Sequence, residues 1–210
     1  MKMPALILLL DARAAFDAVI RQFLTRRLFL DTTKDQRALY WDLRLSSRTT
    51  YLQWGEDLMG PINDELGVEQ GGPNGSEHYK IYNNEQLRTA QDSKLGVTIG
   101  DTEVAAVGQA DDTALVTVDT NNLQLLLNLS VEYCDKYQVE LSSNKTKLLM
   151  FLPPGSESHY TRYYKSVSPI HINGTTIPFT DTAEHVGVVN VSVVTCPQKA
   201  TCQYPLFWCI

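Results

Sequence analysis

One stretch constrains this chain more than any other. Val104-Ala-Ala-Val-Gly-Gln-Ala-Asp-Asp-Thr-Ala-Leu-Val-Thr-Val118 places two adjacent carboxylates, Asp111 and Asp112, between two short apolar runs. Val104 to Gln109 and Thr113 to Val118 are rich in small and β-branched residues, so the pattern predicts a β-hairpin with its turn at the acids. Neighbouring carboxylates repel each other, and a sequence that fixes both on a tight turn calls for a cation. A hard divalent ion with a preference for oxygen ligands, such as magnesium, suits them. Taken alone, the same residues also read as a solvated turn, where Asp is common.

A second acidic position of the same design lies near the start. Leu6-Ile-Leu-Leu-Leu10 is long enough for a buried strand, and Asp11 follows it directly. Phe16, Val19, Ile20, Phe23, Leu24 and Leu28 then recur at helical spacing and predict an amphipathic helix packed on that strand. Carboxylates delivered at strand ends in this way can converge on one metal pair.

The bulk numbers narrow the options. With 210 residues, 43% hydrophobic and 20% charged, the chain suits one globular domain. The balance of 18 Lys and Arg against 24 Asp and Glu is the wrong sign for a chain that binds nucleic acid by a basic surface alone. No apolar run is as long as a membrane span, so a soluble chain without membrane contact is expected. Met3 to Leu10 imitates a signal peptide, but Asp11 interrupts the run before the small residues. Cys196, Cys202 and Cys209 match no zinc spacing, and Cys134 falls on a helical stripe as a small apolar residue.

Between and beyond these acids, Asp31 to Ser47 reads as helix, Arg48 to Trp54 as strand, and Pro61 to Glu69 as its returning partner. Gln70-Gly-Gly-Pro-Asn-Gly75 opens a polar helix, Ser76 to Gln91, and its glycines allow close backbone approach to another molecule. Leu95 to Ile99 and Glu103 onward pair around Gly100-Asp101. Leu123 to Tyr137 is a second amphipathic helix with Asn121 or Asn122 as its N-cap. Leu141-Ser-Ser-Asn-Lys-Thr-Lys147 turns into the strand Leu148 to Leu152. Ile170 to Phe179 is a hairpin around Asn173-Gly174, and Glu184 to Val189 is a last strand. Pro153 to Ser168 reads as a loop, and Val191 to Ile210 has no sustained period.

In this order the chain resembles the reverse transcriptases of LINE-type (non-LTR) retrotransposons. Leu10-Asp-Ala-Arg-Ala-Ala-Phe-Asp17 resembles motif A, Gly67-Val-Glu-Gln-Gly-Gly-Pro73 motif B, and Ala110-Asp-Asp-Thr113 motif C. Leu141 to Lys147 looks like motif D and Glu184-His-Val-Gly-Val188 like motif E. The resemblance covers Leu6 to Val189. It implies an α+β polymerase palm, a two-layer antiparallel sheet backed by helices, over 1–190, with 191–210 an unmatched tail. It implies an RNA-directed DNA polymerase that extends a DNA primer with dNTPs on an RNA template. Asp11, Asp111 and Asp112 would hold two Mg2+ ions, with Mn2+ an alternative. Phe16 would lie under the sugar and reject a 2′-hydroxyl, and Gln70 and Gly71 would touch the incoming nucleotide. Lys145, with Lys147 as the alternative, would protonate pyrophosphate. A nuclear or cytoplasmic location follows from the family alone.

Departures from the family pattern qualify this expectation. Gln109 stands where the family usually has Tyr or Phe. The match begins at motif A and stops at Val189, so the family's fingers and thumb have no counterpart in it. A truncated, inactive transposon remnant or an interaction module is therefore the alternative. A phospho-acceptor receiver domain also groups an acidic pair, a lone Asp and a Lys around magnesium, but it places the pair first, whereas Asp11 precedes Asp111-Asp112.

Overall fold

The apolar run before Asp11 becomes β1 (Ala5–Leu10), an inner strand of an antiparallel sheet. In this computed structural model the described residues are 4–31, 36–46, 48–63, 65–71, 74–151, 170–185 and 188–191. The elements that follow β1 are β2 (Ala12–Arg13), α1 (Arg21–Asp31), α2 (Gln36–Ser46), β3 (Thr49–Trp54), β4 (Asp57–Asn63) and α3 (Gly75–Asp92). Next come β5 (Val97–Ile99), β6 (Thr102–Val104), β7 (Ala106–Gln109), β8 (Asp112–Thr117) and α4 (Thr120–Tyr137). The chain continues through β9 (Glu140–Leu141), β10 (Lys147–Phe151), β11 (His171–Ile172), β12 (Thr175–Thr176), β13 (Thr182–His185) and β14 (Val188–Val191).

The central sheet has the order β10-β1-β8-β7, and every pairing in it is antiparallel. Its continuous apolar sequence hides an alternation of period two. Leu6, Leu8, Leu10, Leu115, Leu148 and Met150 join Leu123, Leu126 and Leu127 of α4 in one core. Leu9, Ala114 and Leu149 turn the other way, where Ala183 of β13 covers them. A strand buried on both faces shows no polar alternation, which is why β1 reads as an unbroken run. Leu8 is fully buried at the middle of β1, paired with both Leu148 and Leu115. Leu8→Ala is expected to lower stability by about 2–5 kcal/mol, read as a lower urea midpoint at an unchanged slope.

A second core joins the helices. Val19, Leu24 and Leu28 meet Leu45, Tyr79, Tyr82, Tyr133, Cys134 and Tyr137. Burial pushes the Cys134 thiol up to about 12, so it is an inert packing group.

Several expectations shift against these elements. The first helix begins at Arg21 rather than near Phe16, because the preceding backbone bonds elsewhere: Val68 N–H donates to the Phe16 carbonyl (2.9 Å) and Gly67 N–H to that of Val19 (2.8 Å). The partner of β3 is Asp57–Asn63, an earlier segment than Pro61 to Glu69, because the turn at Gly55-Glu56 is tight. The N-cap of α4 is Asp119, whose carboxylate accepts from Asn121 N–H (2.8 Å) and Asn122 N–H (3.0 Å). The last strand is half of a hairpin, β13 with β14. The loop 153–168, Gly187, the terminal cysteines and the tail from 192 lie outside the described residues. No helix among the described residues is long and apolar enough to cross a membrane.

Candidate active site

Sheet register brings the predicted acids to one edge. β1 ends with Leu10 paired to Thr113, so Asp11, the residue just past β1, and Asp112, the first residue of β8, lie at the same end of this strand pair. On the other side of β1, Leu9 pairs with Lys147. Asp11 and Asp112 thus continue the sheet face of Leu9 and Ala114, away from the helices.

The hairpin turn falls one residue earlier than the acidic pair itself. Gln109 pairs with Asp112, leaving Ala110 and Asp111 as the turn. Ala110 has φ +55, a left-handed conformation that disfavours a side chain with a Cβ. This local strain presents Asp111 at the tip. Ala110→Gly relieves it and is expected to raise stability by about 1 kcal/mol, measurable as a higher melting temperature.

Around Asp11, motif D closes in. Ser142 N–H donates to the Asp11 carbonyl (2.8 Å), and the turn it starts holds Lys145 with its Nζ 3.6 Å from Asp11 Oδ2. Of the two lysines, Lys145 therefore faces the acids. Lys147 Nζ instead donates to the Asn144 carbonyl (3.1 Å). Both line a 430 Å³ cleft with Thr182 and Glu184. From β13, His185 Nδ1 approaches Asp112 Oδ1 to 4.0 Å.

Phe16 is half-buried and stacks on Tyr79 of α3, ring centroids 5.1 Å apart. Burial first, and then the Asp111 carboxylate, push the Tyr79 phenol up from its ordinary value. Behind the acids, Asn83 Nδ2 donates to Thr113 Oγ1 (3.2 Å) and ties α3 to β8. Gln70 and Gly71 are exposed just before α3. Gly71 has φ +79 and open space where a Cβ would stand, so backbone there is free to meet another molecule.

Sequence reasoning missed the residue that holds this loop. Arg21 is 4% exposed, and its guanidinium donates to the carbonyls of Gly67 (2.7 Å), Leu66 (2.6 Å) and Leu45 (3.3 Å). The available signal was an arginine at the margin of the apolar stripe of the first helix. Tyr79, Asn83 and His185 were equally invisible as site residues, because each depends on a contact between distant segments.

The donor set fits a hard divalent cation. It consists of carboxylate oxygens, and Asp11 Oδ2 is buried and accepts no hydrogen bond. As the side chains stand, no group of three or more His, Cys, Asp or Glu among the described residues closes around a metal position. The backbone brings the acids to one edge, and their side chains remain to be drawn together.

The chain as a whole has counterparts among known proteins. Residues 1–192 match the family model described as reverse transcriptase (RNA-dependent DNA polymerase). Among solved structures, the chain is similar to apo telomerase from Candida tropicalis truncated from its C-terminal domain. The TM-score is 0.58 at 11% identity, over 91% of this chain and 35% of that one. It is also similar to telomerase from Candida tropicalis in complex with a TWJ fragment of telomeric RNA. There the TM-score is 0.55 at 14% identity, over 73% of this chain and 27% of that one. At such identities the likeness is one of fold, and the chain spans only a minor part of each neighbour. No curated protein matches it. Since the family model extends from the first residue to the end of β14, the chain belongs to the reverse transcriptase (RNA-dependent DNA polymerase) family.

Proposed function

We propose that this chain is the palm of a LINE-type retrotransposon reverse transcriptase, residues 1–190, acting in the nucleus or cytoplasm. It extends a DNA primer with dNTPs on an RNA template. The observation that carries this reading is the β1–β8 pairing that ends at Leu10 and Thr113 and so leaves Asp11 and Asp112 at one sheet edge, with Asp111 on the adjoining turn and Lys145 against Asp11. Asp11, Asp111 and Asp112 would hold two Mg2+ ions, or Mn2+ in their place. Held by these carboxylates, such a pair would supply a lowered pKa at the primer 3′-hydroxyl and charge neutralisation at the triphosphate and leaving pyrophosphate.

The protein's own groups do the rest by position. The Phe16 ring, fixed on Tyr79, forms a flat wall that rejects a 2′-hydroxyl and so selects deoxynucleotides. Gln70 and Gly71 meet the incoming nucleotide on exposed backbone held by Arg21 through Leu66 and Gly67. Lys145 gives its proton to the departing pyrophosphate oxygen.

One observation favours a second reading, an interaction module without catalysis. The β3–β4 hairpin exposes Trp54 (84%), Leu58 (66%) and Met59 (63%). Magnesium-dependent primer extension on an RNA template separates the two, run on this chain and on the chain lengthened by its in-frame flanking sequence. Extension supports the polymerase. A folded, lengthened chain that extends nothing rejects it in favour of the interaction module.

A further inference from the structure

Away from the acids, a pocket of about 130 Å³ opens where α2, the start of β3 and the first turn of α3 meet. Trp41, Arg44, Arg48, Glu69, Gly75 and His78 line it. At that size it is well below the roughly 300–1,000 Å³ of sites for drug-sized organic molecules. Its charge is net positive: Arg44 and Arg48 outweigh Glu69, whose carboxylate lies 3.8 Å from Arg48. Arg44 spends one N–H on the Tyr40 hydroxyl (3.1 Å), out of the five that a guanidinium offers.

Helix α3 adds to the field. It is 18 residues long, Asn74 at its N-cap makes no side-chain hydrogen bond to the first-turn N–H groups, and the acid of that turn, Glu77, is held by Lys80 at 2.8 Å. An independent observation concerns His78, which is 6% exposed and meets Trp41 edge-on at 4.5 Å. Its imidazole makes no hydrogen bond among the described residues, although it borders the pocket. Burial lowers its pKa, so the ring is neutral near pH 7 and keeps an N–H donor. A buried ring donor, two arginines and an uncapped helix end converge on a space for one small anion.

Position identifies the carrier. Glu69 and Asn74 bracket the Gln70-Gly71 loop, and the residue after His78 is Tyr79, which supports Phe16. We propose that this pocket binds a single phosphate group, carried by a nucleic-acid strand that runs past the Gln70-Gly71 loop. The strand as carrier rests on the polymerase reading; the phosphate site does not.

The pocket contains its own reporter. The chain has three tryptophans, Trp41, Trp54 and Trp208, so W54F/W208F leaves Trp41 as the sole emitter. Titrating inorganic phosphate into that full-length chain is expected to change Trp41 emission saturably. R44Q, at an exposed position and checked for folding by circular dichroism, is expected to weaken binding about tenfold. D111N is expected to bind phosphate as the parent does, which keeps failure here distinct from failure of the polymerase reading. Absence of saturation, or equal affinity in R44Q, overturns the site. A single-stranded RNA that competes with phosphate at lower concentration supports the strand as carrier. RNA that fails to compete overturns that assignment and leaves free phosphate as the ligand.

Discussion

Asp111→Asn is expected to reduce magnesium-dependent primer extension at least about a hundredfold while leaving the chain folded. Asparagine has the shape of aspartate and the same tolerance of turns, so the Ala110-Asp111 turn survives. What disappears is one negative oxygen donor from a set built of carboxylates. Loss of like-charge repulsion with Asp112 offsets little else, so stability should stay within about 0.5 kcal/mol of the parent. The pair of measurements is primer extension and a urea melt. Lost activity with an unchanged melt places the defect in chemistry, whereas retained activity removes Asp111 from the proposed site.

Arg21→Met should do the opposite, damaging the fold first. The substitution keeps a long apolar side chain but leaves the buried carbonyls of Gly67 and Leu45, and the part-buried one of Leu66, without this donor. Unpartnered buried polar groups cost about 1–3 kcal/mol each, and a loss of about 3–5 kcal/mol is expected once the loop relaxes. That is a large part of the roughly 5–15 kcal/mol by which domains are stable. Denaturation gives the magnitude. Hydrogen exchange locates it: opening concentrated at 65–71 supports Arg21 as the anchor of the loop carrying Gln70 and Gly71, and uniform loss across the sheet contradicts it.

Much of the site was legible because it is local. An apolar run followed by one acid, and two β-prone runs around an acidic pair, specify strand ends without reference to the rest of the chain. Helix α4 followed from helical spacing, and the hairpins β5–β6 and β11–β12 from Gly-Asp and Asn-Gly turn signals. Where expectation missed by a few residues, local propensity had met a competing bond. Asp119 caps α4 ahead of the asparagines because its ionised carboxylate accepts two N–H groups at once. Phe16 and Val19 stay out of α1, their carbonyls serving Val68 and Gly67.

By itself, the sequence determined the kinds of element, the positions of Asp11, Asp111 and Asp112 at strand ends and the family resemblance. All of these are written in side-chain period and turn chemistry over a few residues. Only the tertiary structure decided that Lys145 rather than Lys147 faces Asp11, that Tyr79 backs Phe16 and that His185 stands near Asp112. It alone made Arg21 an anchor and His78 the wall of a pocket. These are pairings between segments far apart in the chain. Strand register and helix docking settle them by burying the most apolar surface while matching most buried polar groups, a condition that no single stretch of sequence contains.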